Sequence, residues 1–193
     1  MPKKIKTGKK VNFLLIPEQD AQGKTPEPYK ILQEVRKLHH GDITQARIAL
    51  AWRLRTKADQ DGHIVLGKCV KVSDLHREFA DYDFIIVLNR EFWDEPTVTK
   101  AQRTALVDHE MMHCAPTYNG ETGEHEVDER GRFLFRTRSH DVGEFIEIIR
   151  RNGIWKHDLV EFAKVLQEKK KTPLFAVDPQ AGQDATQNAP VVQ

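Results

Sequence analysis

Cysteine is scarce in this sequence. Cys69 and Cys114 are the only two in 193 residues. That is too few for a disulfide framework, and a reducing cytoplasm is the simplest home for such a chain. Long apolar runs are missing as well. Nowhere do about eighteen uncharged apolar residues follow one another, so no membrane-spanning helix is expected. The lysine-rich start, Met1 to Lys10, is not followed by the apolar stretch of a secretory signal. Net charge is almost absent too. The formal value is +1, which gives no strong overall field for gathering nucleic acid. Positive charge is local instead: five of the first ten residues are lysine, and Lys169-Lys170-Lys171 forms a second run. Such runs are usually solvated. A nucleic-acid contact through the Lys-rich N-terminal arm is the minority reading.

What is present suits a globular domain. Apolar residues make up 39% and charged residues 31%, and the length allows a sizeable core. Residues 1–24 are polar and basic apart from Val11 to Ile16, and are expected to be a flexible arm. Residues 172–193 are rich in Gln, Ala, Pro and Asp and are expected to be a disordered tail. The folded domain is then residues 25–171.

Within it, Pro28 opens a helical pattern with Ile31, Leu32, Val35 and Leu38 on one stripe, and Gly41 ends it. Residues 47–54 alternate large apolar side chains and predict a strand. Asp61-Gly62 is a turn, and residues 63–72 predict a second strand paired with the first. Ser73 can cap a short helix through Phe79. Residues 83–88 are a continuous apolar run, as in a strand buried on both faces. Glu91 to Trp93 follows as a short turn or helix.

Thr99 and Gln102 have capping-box spacing at the start of a helix that should run to about Cys114. Residues 127–138 predict a hairpin turning near Arg130-Gly131. Ser139 can cap a helix from His140 to about Arg151, with Val142, Phe145, Ile146 and Ile149 inward. Asp158 starts a last helix with Leu159, Phe162, Ala163 and Leu166 inward. The expected fold class is α+β, with a small, mostly antiparallel sheet on the Thr99–Cys114 helix and further helices after it.

That helix carries His109-Glu110-Met111-Met112-His113. Residues four apart share a helix face, so two imidazoles one turn apart can grip one ion. Imidazole nitrogens suit zinc (Zn2+) at about 2.0–2.1 Å. Glu110 is rotated by about 100 degrees from His109, so it can reach a water beside the metal instead of ligating. This is the constellation of a zinc hydrolase, with Glu110 as general base. Leu106, Val107, Met111, Met112, Cys114 and Ala115 supply the apolar setting of a core helix; a chance match on a surface helix would lack it.

Zinc needs a third protein ligand and a free position. The metzincin continuation wants Gly at 116 and His at 119; Pro116 and Asn119 exclude it. The candidates are His125, Glu124, Glu126, Asp128 and His140. Asp141 or Glu144 could accept a hydrogen bond from a ligand imidazole and fix its tautomer. Acidic residues at a helix start are as readily explained by the helix dipole. Tyr118 is a candidate for stabilising an oxyanion. His39, His40, His63, His76 and His157 have no ligand spacing and read as ordinary; Cys114 reads as core.

The block Ala105 to His113, then a hairpin, then His140-Asp141-x-x-Glu144-Phe145, resembles the Putative phage metallopeptidase family and, more distantly, the SprT-type zincins. Residues 84–88 and Trp93 also look like the family. The resemblance covers about residues 25–167 and implies a zincin-like metallopeptidase with His140 as the third zinc ligand. It implies a peptide or protein substrate lying along an edge strand above the helix, and a bacterial host cytoplasm for a phage protein. His140 lies 27 residues after His113, a longer gap than the SprT pattern, and the 127–138 hairpin would account for it.

Overall fold

Helix α1, Glu27–His39, forms where proline favours a first turn: Pro28 sits at its start, Glu27 opens it, and Arg36, Lys37 and His39 close it. Its buried stripe is Tyr29, Ile31, Leu32 and Val35. Leu38 was expected on that stripe but is 72% exposed, because the stripe ends one turn earlier. Gly41 starts a single 3₁₀ turn, Gly41–Ile43. These features come from a computed structural model, which describes residues 11–143, 149–150, 153–154 and 157–168. Residues 1–10, Glu144 and residues 172–193 lie outside the described residues. So do the expectations that rest on them, the basic arm and the C-terminal tail.

The chain divides into two units, Met1–His140 and Asp141–Gln193. The first holds a four-stranded sheet in the order β1-β2-β4-β3. Its strands are β1 (Phe13–Leu15), β2 (Ile48–Arg53), β3 (Gly67–Lys71) and β4 (Phe84–Asn89). Residues 13–15, expected within the arm, are thus a strand pairing antiparallel with β2. The sheet is mixed: β2 and β4 run parallel at its centre, and β3 pairs antiparallel with β4. The expected β2–β3 pairing does not occur. β2 is buried along five of its six residues, so it takes a central place beside the equally apolar β4. β3 carries Lys68 and Lys71 and takes the sheet edge, where charge is tolerated.

Short helices flank β4. Helix α2, Asp74–Arg77, is capped by Ser73, and α3, Arg90–Asp94, by Asn89. Phe84, Ile86 and Leu88 of β4 face a core completed by Leu50, Ile31, Val107 and Met111. Helix α4, Lys100–Met112, starts at a true capping box. Thr99 Oγ1 accepts from the Gln102 N–H, and Gln102 Oε1 accepts from the Thr99 N–H at 2.7 Å. Its buried face is Gln102, Val107, Glu110 and Met111. Met112, expected to fill the core, is exposed.

After α4 comes a strand the sequence did not suggest, β5 (Cys114–Pro116), paired antiparallel with β6 (Phe135–Thr137). Two tight turns link them, one closing at Tyr118–His125 and the other at Val127–Phe133. The helix expected from His140 does not open there: residues 140–143 are not helical, residues 149–150 are, and Phe145 and Ile146 of its expected stripe lie outside the described residues. In the second unit, α5 (His157–Glu168) buries Leu159, while Phe162 and Leu166, expected inward, are exposed. No helix among the described residues is long and apolar enough to cross a membrane.

Candidate metal centre

His109 and His113 stand one turn apart near the C-terminal end of α4, with ring centroids 5.2 Å apart. Strand pairing delivers the third imidazole. Beyond the Cys114–Thr137 pair the ladder continues, with the Arg138 N–H donating to the His113 carbonyl at 2.8 Å. His140 therefore arrives next to the helix end despite its distance in sequence. Its Nε2 lies 3.1 Å from His109 Nε2, and its ring centroid lies 4.6 Å from that of His113. Candidate donor atoms of the three histidines all fall within 4.8 Å of one another.

This spacing fits a shared cation. Two nitrogens at about 2.0–2.1 Å from a tetrahedral ion lie roughly 3.3 Å apart. His113 is oriented for such a role: its Nδ1–H donates to the Arg138 carbonyl at 2.7 Å, which leaves the Nε2 lone pair free. Partial burial, then the neighbouring His140 and His113, lower the pKa of His109. The neutral imidazole is the form that ligates metal.

Glu110 belongs to the same cavity but not to the histidine group. It is 4% exposed, and burial raises the pKa of its carboxyl, opposed by His113 and by the Cys69 backbone N–H that donates to it. Strand β3 passes directly over this carboxylate. A Cβ at Gly67 would lie 2.8 Å from Glu110 Cγ and Cδ, so the approach requires glycine. The open cavity of about 350 Å³ between them is lined by Gly67, Lys68 and Cys69 on one side. The three histidines, Glu110 and Thr137 form the other.

The other sequence candidates lie elsewhere. His125 stacks on Phe133 and bonds the Leu134 carbonyl through Nε2 at 2.9 Å. Asp128 is tied to Arg132, while Glu124 and Glu126 sit on the turns with them. Tyr118 packs against His125 and does not line the cavity. Asp141 is exposed in the second unit, and Glu144 lies outside the described residues. A second group, Asp59, Asp61 and His63, is exposed on a surface turn.

Sequence reasoning missed the backbone supports from Cys69 and Arg138, and the close approach of Gly67. A glycine inside the 63–72 strand pattern was the available signal for the last. It also read His40 as ordinary, yet that buried ring meets Asp108 at 2.7 Å and ties the motif turn to the end of α1.

No curated protein and no solved structure matches the chain. A family profile does: the one described as Putative phage metallopeptidase covers residues 23–177, well over half of the length. With a cluster of convergent imidazoles beside a buried carboxylate inside that span, the chain belongs to the Putative phage metallopeptidase family.

Proposed function

We propose that this protein is a zinc-dependent peptidase in which His109, His113 and His140 hold the metal and Glu110 is the general base. The observation that carries the reading is the convergence of three imidazoles next to a buried carboxylate that is not one of the group. When bound, zinc polarises a peptide carbonyl and brings the pKa of a neighbouring water to about 7. Glu110 takes the proton of that water on its carboxylate and passes it to the leaving amine. The Cys69 backbone N–H favours the charged form of that carboxylate. Among the described residues the sheet ends at β3, so an extended peptide adds to its outer edge beside Glu110.

A purely structural metal would need a fourth protein ligand. Among the described residues, no further Cys, His, Asp or Glu joins the three histidines. Family membership favours a peptide or protein substrate met in the cytoplasm of a bacterial host.

The test is a peptide-cleavage screen with the zinc-loaded protein, the chelated protein and Glu110→Gln. Cleavage should vanish on chelation and return with zinc. Glu110→Gln should lose about 10²–10⁴-fold in rate while keeping its zinc. Full activity in that variant would refute the assignment of the base.

A further inference from the structure

The chain's two cysteines sit 45 residues apart in sequence, yet Cys69 Sγ and Cys114 Sγ are 3.5 Å apart. Both also border Glu110, the proposed base, Cys69 through its backbone and Cys114 through its thiol. The Cys69 backbone N–H donates to the Glu110 carboxylate, and the Cys114 thiol faces the Glu110 carbonyl at 3.9 Å. Cys114 directly follows His113 and is buried. Cys69 is partly exposed and is one of the residues lining the metal-site cavity.

We propose that Cys69 and Cys114 are an oxidisable dithiol, closed by a peroxide into an internal disulfide that disables the adjacent site. Hydrogen peroxide first converts the Cys69 thiol to a sulfenic acid, releasing one water. The Cys114 sulfur then attacks the Cys69 sulfur. The S–S bond forms, the S–O bond breaks, and the departing hydroxide leaves as a second water with the Cys114 proton. The dithiol loses two electrons and the peroxide gains them.

The link needs a sulfur separation of about 2.05 Å, so the two sulfurs must close by roughly 1.5 Å. β3 carries Cys69 at the sheet edge, whereas β5 is continuous with the helix that carries the histidines. The movement falls on β3, and with it on the N–H that holds Glu110 and on Gly67 above it. A displacement of about 1 Å at a catalytic group lowers turnover by around a hundredfold. This second half of the proposal rests on Glu110 being the base; the dithiol itself does not.

The experiment titrates the full-length protein with hydrogen peroxide. It reads free thiols after denaturation, non-reducing peptide mass maps, zinc affinity by chelator competition, and peptide cleavage. Expected is loss of both thiols with a mass loss of two hydrogens, a mapped Cys69–Cys114 link, zinc affinity close to that of the reduced protein and about a hundredfold lower cleavage. Dithiothreitol should restore the thiols and the cleavage. In Cys114→Ser, Cys69 should be trapped as a sulfenic acid that reacts with dimedone. In Cys69→Ala, Cys114 should survive the same dose as a thiol, which keeps the test valid if the first variant folds poorly. Independent over-oxidation of the two cysteines, or links only between chains, would overturn the dithiol. A mapped link with unchanged cleavage would overturn its control of the site. If the reduced protein binds zinc but cleaves nothing, the hydrolase reading and the control of the site fall together, and thiol count and the mapped link still judge the dithiol.

Discussion

Glu110 is a carboxylate in a place that disfavours charge, held by one backbone N–H under a strand that lacks a side chain at the point of contact. Gly67→Ala should therefore act on chemistry more than on folding or metal. Its Cβ would have to displace the carboxylate, so kcat should fall by tens to about a hundredfold, with KM and zinc content close to wild type. Steady-state kinetics with metal analysis check this, and an unchanged kcat would show that the close approach is idle. Asp108 makes a different prediction. Asp108→Ala leaves the buried His40 ring without its partner and should cost about 1–3 kcal/mol in chemical denaturation. At this scale the sequence was informative where spacing is local. His109, Glu110 and His113 announce themselves because four residues make one helical turn. The Cys69 N–H and the Arg138 carbonyl are backbone groups, identical at every position, and only the fold says which of them face an imidazole or a carboxylate.

Helix α4 illustrates an element whose start is written locally. Thr99 and Gln102 satisfy each other's backbone donors, and Thr99→Ala should lower stability by about 1 kcal/mol. The turn at Asp128 gives a pH-dependent prediction. The Arg132 backbone N–H, then its guanidinium and the Arg130 N–H, hold the Asp128 carboxyl down to about 2, from 3.8. A carboxylate with a depressed pKa stabilises the fold fully above its unfolded value. That contribution fades as pH falls through the folded value. Asp128→Asn should accordingly unfold at a lower temperature than wild type at pH 7, and the difference should shrink as pH falls from the unfolded value and vanish only below about 2. Equal melting temperatures at pH 7 would contradict it. Elements defined by distant partners were harder to read. β5 is three residues with a proline, and nothing in Cys114-Ala115-Pro116 announces that residues 135–137 will pair with it. Missing β5 led to reading Ser139 and His140 as a helix start, when a strand ladder carries His140 to the site. The β2–β3 pairing failed for a related reason: proximity in sequence suggested a hairpin, and burial on both faces gave the place beside β2 to β4.

In the first unit, a mixed sheet, two packed helices and a returning hairpin bring chain segments separated by tens of residues to one cavity. The α+β class was legible from alternating and helical periods, and the family from the motif helix together with its downstream histidine. What periodicity could not supply was the path between them, since the 27-residue gap closes only through β5 and β6. The proposed metal centre requires His140 to reach the same ion as the two helix histidines. The direct test is zinc affinity and stoichiometry of wild type and His140→Ala, by chelator competition and elemental analysis. Wild type should bind one zinc per chain. His140→Ala should bind it more weakly by well over the roughly 10–100-fold that loss of an outer hydrogen-bond partner costs. Wild-type affinity in that variant would contradict the three-histidine centre.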